Sequence, residues 1–239
     1  MEYDRELSYR TVGGTDISVL TGSNRYDTPF GLLTKKRNKI DTELNLKMKL
    51  GIYLEDFLAE IYAYNKGITL EGIDEGSLVF DDIYRISIDR RYTHQNIGRI
   101  IDFKTRWAYW KEQILPLYYC EQVNYYTGIY DEYGLFKGNF PGDPLVVTLY
   151  QGDLYECSVP YSPEYYRIQK DIARDFFPYI FNTQDLPFEL IFKWQTLASK
   201  FHNIYEDLKC RKMSGLVVEQ PTKLISEQAQ KVHSTLHVI

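Results

Sequence analysis

The sequence has little of what would assign it to several specialised protein classes. It contains only three cysteines among 239 residues, and Cys120, Cys157 and Cys210 are too widely spaced for a disulfide framework or a CxxC zinc site. The four histidines show no metal-ligand spacing. A Walker-type glycine-rich loop is also missing, so the chain does not bind ATP in that way.

Long apolar runs are missing as well. No stretch approaches the ~18 consecutive apolar residues of a membrane helix, and the first residues lack the apolar core of a signal peptide. We therefore expect a soluble, unexported protein without a membrane partner, in the reducing interior of a cell, which also fits the few cysteines.

Excess positive charge is the third absence. The net charge is −5 and the pI about 5.5, which argues against a protein held to nucleic acid by bulk charge. An enzyme whose acidic residues carry divalent metal ions remains compatible with this balance. The sequence is rich in tyrosine, with 22 residues, and we expect most of them in the core, although tyrosine also stacks on nucleobases.

Alternating and helical patterns predict one α/β domain in which helices flank a central mixed sheet. Residues 1–214 form this domain, with the late hairpin and helices in residues 145–210, and a polar tail follows in residues 215–239. The main predicted helices are Leu44–Tyr64, Pro116–Tyr130, Pro163–Phe177 and Pro187–Lys209. The predicted strands are Ser77–Phe80, Tyr84–Asp89, Arg99–Lys104, Leu145–Tyr150 and Leu154–Val159, of which the second and third pair as a hairpin.

The triplet Asp102-Phe103-Lys104 ends one apolar strand. Because strand side chains alternate, Asp102 and Lys104 point to the same face, and Asp89 lies on the facing strand. Mg²⁺ prefers hard oxygen ligands such as these carboxylates and the Phe103 carbonyl. Lys104 could then assist an attacking water or neutralise charge on a phosphate, and Glu55 is a further candidate ligand, directly or through water.

A structural alternative stays open from these residues alone. Asp102 and Lys104 could form an ordinary ion pair, and Asp89 could cap a turn. The D-x-K triplet occurs by chance in many proteins, so the choice depends on the rest of the chain.

Four sequence blocks, taken in order, resemble the YqaJ and phage lambda-exonuclease branch of the PD-(D/E)xK nucleases. The blocks are Arg10 with Gly13–Tyr26, Gly51–Glu55, Ser87–Asp89 with Asp102–Thr105, and Tyr119–Tyr126. They cover about half of the chain, within residues 10–130. The chain departs from the family pattern at Ile88, where proline is usual, at Asp102, where glutamate is commoner, and at Thr15, where serine is more usual.

The resemblance implies roles for single residues. Asp89 and Asp102 would bind the metal, Lys104 would be the catalytic lysine, Glu55 the helix carboxylate near the metals, and Gln122 a residue of the bordering helix. Three further residues match positions that hold a terminal 5′-phosphate in lambda-type exonucleases, namely Arg10, Thr15 and Ser87. An arginine and hydroxyl groups suit a phosphate chemically.

The resemblance further implies a Mg²⁺-dependent 5′→3′ exonuclease on double-stranded DNA with free ends, in which Mn²⁺ may replace Mg²⁺. It would act in phage-type recombination, in the cytoplasm of a bacterium or a phage-infected host. Its partner would be a single-strand annealing protein, and three copies of the chain would form a ring. The alternatives are an endonuclease of the same fold and a nuclease-fold module that binds DNA or protein without cutting.

Overall fold

The computed structural model describes residues 5–40, 46–72, 76–105, 113–206 and 211–216. The helices in this part of the chain are α1 (Arg5–Arg10), α2 (Gly14–Leu20), α3 (Pro29–Arg37), α4 (Leu46–Lys66), α5 (Leu117–Glu132), α6 (Pro163–Phe181) and α7 (Phe188–Glu206). The strands are β1 (Val12–Gly13), β2 (Ser77–Phe80), β3 (Tyr84–Ser87), β4 (Arg90–His94), β5 (Ile97–Thr105), β6 (Phe140–Pro141), β7 (Leu145–Tyr150), β8 (Asp153–Ser158) and β9 (Ser214–Leu216).

Among the described helices, none has both the length and the hydrophobicity needed to cross a bilayer. Trp107 and Trp110, which could line a DNA track or pack in the core, lie outside the described residues.

The larger sheet has six strands in the order β4-β5-β7-β8-β9, with β6 beside β5. The central pair β5 and β7 is parallel, whereas β4–β5, β7–β8 and β8–β9 are antiparallel. A smaller sheet has the order β1-β3-β2. The predicted α/β class with a mixed sheet flanked by helices is therefore confirmed.

The two faces of β5 pack against different helices because its side chains alternate. Ile101 and Phe103 are buried in one cluster with Leu58 and Tyr62 of α4. Ile100 belongs to the larger cluster, which is formed mainly with α2, α5, α6 and α7. Residues 102 and 104 share the face of Ile100, so the predicted site faces α5.

The prediction of one strand over Tyr84–Asp89 that pairs with Arg99–Lys104 is wrong. The strand β3 ends at Ser87 and pairs with β1 and β2 in the small sheet, and β4 is the actual hairpin partner of β5. The reason is a contact between residues distant in the sequence: the Asp89 carboxylate accepts the backbone N–H of Phe103 at 2.6 Å. This side chain replaces a backbone partner of β5, so the chain can pass from one sheet to the other.

Close packing brings α2 against α5. A Cβ atom on Gly14 would lie 2.7 Å from Cε1 of Tyr126 and 2.9 Å from Cγ of Gln122. Such distances are shorter than ordinary van der Waals contacts, so only glycine allows this approach. The first turn of α2 is therefore fixed beside Gln122.

A buried carboxylate links the helices behind the site. Glu121 of α5 is fully buried. Its carboxylate accepts hydrogen bonds from Thr21, Ser23 and Tyr165 and lies 2.8 Å from Nε2 of His202. The network satisfies a charge that would otherwise be costly to bury, and it holds α5 against α6, α7 and the chain after α2.

Candidate active site at the end of strand β5

Asp102 and Lys104 form the centre of the site. The Lys104 Nζ lies 2.8 Å from Oδ1 of Asp102, and the two side chains are 22% and 4% exposed. The other oxygen of this carboxylate, Oδ2, is buried and has no hydrogen-bond partner among the described residues. A buried acceptor without a partner costs free energy, which makes this atom available for a ligand.

Asp89 lies beside this pair at the junction of the two sheets. Its Oδ2 accepts the Phe103 N–H at the edge of β5 that β4 leaves uncovered beyond Arg90. The N–H and C=O of one residue in a strand point to the same edge. The carbonyl of Phe103 is therefore directed to the same side as the Asp89 carboxylate.

Glu55 of α4 contributes a third carboxylate to the electrostatics of the site. Burial, together with the negative charges of Asp89 and Asp102, raises the pKa of Glu55 to about 8, although Lys104 acts to lower it. Glu55 therefore interacts with the same charges that sequence reasoning brought together. Near neutral pH its carboxyl can hold a proton.

The pKa values of Asp102 and Lys104 are both shifted, as is expected for buried charged groups. Burial raises the pKa of Asp102 to about 6, although Lys104 acts to lower it. Burial acts to lower the pKa of Lys104, but the charges of Asp102 and Asp89 outweigh this effect and raise it. The lysine is thus held as a cation, and the arrangement concentrates negative charge around it.

These acids are spaced too loosely to enclose a metal ion completely. Among the described residues, no three His, Cys, Asp or Glu side chains are grouped so that they alone could hold one. The sequence analysis proposed Asp89, Asp102, the Phe103 carbonyl and Glu55 as possible ligands. Asp89 and Asp102 meet at the end of β5 beside Phe103, and Glu55 of α4 is close enough to interact electrostatically with both carboxylates.

Gln122 and two tyrosines of α5 border the site. The Gln122 Nε2 donates to the hydroxyl of Tyr126 at 3.3 Å, and the ring centroid of Tyr119 lies 6.0 Å from the Lys104 Nζ. Burial raises the pKa of Tyr126 to about 12, while Arg85 acts to lower it. The helix that follows the strands thus covers the Asp102 face, as expected for Gln122.

The three residues predicted to bind a phosphate are not connected to one another as Asp102 and Lys104 are. Ser87 is half-buried, and its Oγ lies 2.7 Å from Oγ of Ser77. Thr15 is exposed in the first turn of α2, and Arg10 is exposed at the last residue of α1. Within the described residues, no hydrogen bond joins the side chain of Arg10 or Thr15 to Ser87.

The sequence analysis did not assign a role to Arg85. This buried arginine donates from Nη1 to Oγ of Ser87 at 3.4 Å. A Cβ atom on Gly13 would lie 2.8 Å from its Nη2, so glycine leaves room for the guanidinium. The alternation of β3, which puts Arg85 and Ser87 on one face, is the signal that could have identified it.

No protein-family model matches the chain, and no curated protein matches it in sequence. Solved structures do resemble it. An alkaline exonuclease, LHK-Exo, from Laribacter hongkongensis shares 13% sequence identity over 82% of this chain and 96% of its own, with a TM-score of 0.51. LHK-Exo in complex with dAMP shares 11% identity over 85% and 98% of the two chains, with a TM-score of 0.53. The predicted nuclease fold is confirmed: the chain shares the fold of an alkaline exonuclease.

Proposed function

We propose that this chain is a Mg²⁺-dependent DNA nuclease that hydrolyses phosphodiester bonds. The observation that supports the proposal best is the buried Asp102 Oδ2, which has no hydrogen-bond partner in the part of the chain that the structure describes. It lies beside Lys104 and Asp89 in a fold shared with an alkaline exonuclease. A structural ion pair alone would leave this acceptor unexplained. Because LHK-Exo has been solved with dAMP, a deoxynucleotide ligand is also reasonable for this chain.

The donor atoms suit Mg²⁺. This ion is usually held by one or two carboxylates together with waters and substrate phosphates, so a closed cage of three side chains is not required. We expect Asp102 and Asp89 to hold it with the carbonyl of Phe103, and Glu55 to act through water. When bound, such a cation lowers the pKa of water and stabilises charge on phosphate oxygens, and Mn²⁺ could replace it.

The chain's own residues would divide the remaining work. Lys104, kept protonated by its acidic neighbours, would neutralise the charge that builds on the phosphate during in-line attack. Glu55, which can hold a proton near neutral pH, would orient a water molecule at the edge of the site. Gln122 would border the nucleotide through its position on α5.

Binding of the metal can be tested without any activity measurement. Mg²⁺ is expected to raise the Tm of the wild-type protein in a concentration-dependent way, because a ligand that binds only the folded state stabilises it. Asp102→Asn should abolish this rise, whereas Asp175→Asn, which changes an acidic residue of α6, should retain it. An equal rise in all three proteins would argue against the assigned ligands.

The end preference of the enzyme depends on the residues around Ser87. Together with Arg85, Ser77 and the more distant Arg10 and Thr15, Ser87 offers a cation and hydroxyl groups to a phosphate. We propose that these groups hold the 5′-phosphate of a DNA end, so that cleavage proceeds 5′→3′ on double-stranded DNA.

Digestion of end-defined DNA tests this function. With Mg²⁺, linear duplex with 5′-phosphate ends should be degraded faster than the same duplex with 5′-hydroxyl ends, and covalently closed circles should resist. Equal rates for the two ends, or efficient cutting of circles, would indicate an endonuclease. Binding without any hydrolysis in Mg²⁺ or Mn²⁺ would indicate the non-cleaving module. The trimeric ring and the annealing-protein partner stay predictions.

A further inference from the structure

A row of three tyrosine rings leads from the site to the protein surface. It begins with Tyr119, whose ring centroid is 6.0 Å from the Lys104 Nζ. The rings of Tyr119 and Tyr118 follow at 4.3 Å, and those of Tyr118 and Tyr26 at 6.2 Å in an edge-to-face arrangement. The first two rings are half-buried, whereas Tyr26 is 69% exposed.

A positively charged side chain, Arg25, lies at the solvent-exposed end of this tyrosine row. The guanidinium of Arg25 lies 5.2 Å from the ring centroid of Tyr26, and its Nη2 donates to the Tyr26 hydroxyl at 3.1 Å. Arg25 is exposed, and no described carboxylate forms an ion pair with it. The surface therefore presents an aromatic face and a positive charge side by side.

Burial in the core does not account for the end of the row. Tyr118 and Tyr119 pack at the start of α5, but most of the Tyr26 ring contacts solvent. Exposed aromatic rings next to cations bind single strands, because every base has a face that can stack and every linkage carries a charge. The row is also continuous with Lys104, where the phosphodiester is expected to be cut.

We propose that Tyr26 stacks on an unpaired nucleobase of the DNA strand that is being cut, and that Arg25 contacts a phosphate of the same strand. Tyr118 holds the Tyr26 ring in position, and Tyr119 connects this base-binding surface to Lys104. The inference rests on the proposed nuclease function. It adds a substrate contact outside the carboxylate site and outside the group of residues around Ser87. It requires a few unpaired nucleotides next to the scissile bond.

The test is a binding titration in EDTA, which needs no cleavage. The probe is a DNA duplex with a short single-stranded end that carries 2-aminopurine at successive positions. One position should change in fluorescence when the wild-type protein binds, because stacking alters the emission of this base. Tyr26→Ala should remove that change and weaken binding by about fivefold to 100-fold, the range of a lost stacking contact, whereas Tyr26→Phe should keep both.

Phe140→Ala is the matched control. Phe140 is 74% exposed and lies in β6 opposite Ile97, at the other end of β5 from Lys104. Its removal should leave the fluorescence change and the affinity intact. Arg25→Gln should reduce the slope of log affinity against log salt by about one.

The results separate this inference from the proposed function. Wild-type fluorescence and affinity in Tyr26→Ala, at an unchanged Tm, would overturn the base contact even if the enzyme hydrolyses DNA. An unchanged salt slope in Arg25→Gln would overturn the phosphate contact. Hydrolysis that is absent in Mg²⁺, together with stacking that depends on Tyr26, would overturn the nuclease and leave the base-binding surface.

Discussion

At the scale of single residues, the site is a compromise between stability and chemistry. Asp102 is buried, and one of its carboxylate oxygens has no hydrogen-bond partner among the residues described. The environment of Glu55 raises its pKa to about 8. Groups of this kind destabilise the folded chain, and perturbed pKa values of this sort cluster at functional sites. Such costs are expected where a ligand later supplies the missing interactions.

Replacement of Lys104 tests the role of the one cation in this pair. Lys104→Ala removes the charge that we propose acts on the phosphate, so we expect kcat to fall by about 10²–10⁴-fold with little change in the circular dichroism spectrum. Lys66→Ala is the control, because Lys66 also forms an ion pair, at 2.7 Å with Glu156, but on the face of α4. Undiminished cleavage by Lys104→Ala would contradict the assignment.

Glu55→Gln tests the raised pKa through stability in the metal-free protein. Because the pKa of Glu55 is about 8 in the folded state and the ordinary value for glutamate is 4.5, the folded protein keeps a proton that the unfolded chain loses. The contribution of Glu55 to stability therefore falls as the pH rises from 4.5 to about 8. We expect Glu55→Gln to have a higher Tm than the wild type. The increase should be about 2–4 °C for each kcal/mol that the substitution adds to the free energy of unfolding.

This Tm difference should grow between pH 5 and pH 8 and then level off. Glu60→Gln, which changes an exposed carboxylate of the same helix, should show no such growth. A difference that is constant with pH would mean that the environment of Glu55 does not raise its pKa.

At the scale of elements, periodicity predicted the four longest described helices, α4 to α7, and the strands β2, β5, β7 and β8, because both kinds of element depend on local patterns of apolar side chains. The break at Asp89 was missed, since alternation continues through Ile86 and Ile88 although the chain changes sheets. That break depends on one long-range hydrogen bond, from the Phe103 N–H to Asp89. A pattern in sequence carries no information on such a contact.

The close approach of α2 to α5 supports the site, and Gly14→Ala tests it. The new Cβ would meet Tyr126 and Gln122 at 2.7 and 2.9 Å, so we expect a loss of about 1–3 kcal/mol in the free energy of unfolding. Cleavage should decline as Gln122 is displaced. Urea denaturation and a nuclease assay measure the two effects.

Gly72→Ala is the matched control, because a Cβ there would meet no atom within 4 Å. Its unfolding free energy should stay near that of the wild type. Equal stability of the two variants would mean that the helices can separate without cost.

At the scale of the whole molecule, the architecture is compatible with the proposed action of an acidic chain on DNA. The larger sheet is covered by α4 on one face and by α5 with its neighbours on the other, and the candidate residues Lys104, Asp102 and Asp89 lie at the end of β5. The sequence analysis predicted this α/β arrangement, and its assignment of the site residues stays a prediction. It did not assign Arg85, although the alternation of β3 places this residue on the face of Ser87. It could not assign the exposed ring of Tyr26, since its neighbour Tyr118 comes from a distant part of the chain.

The central claim is that Asp102 belongs to a metal-dependent nuclease site. The most direct measurement is the rate at which purified protein hydrolyses linear duplex DNA, with Mg²⁺ and with EDTA, for the wild type and for Asp102→Asn. We predict hydrolysis by the wild type that requires Mg²⁺ and that falls by at least ~10²-fold in the folded, nearly isosteric variant. No hydrolysis by the wild type in Mg²⁺, or equal rates for the two proteins, would contradict the claim.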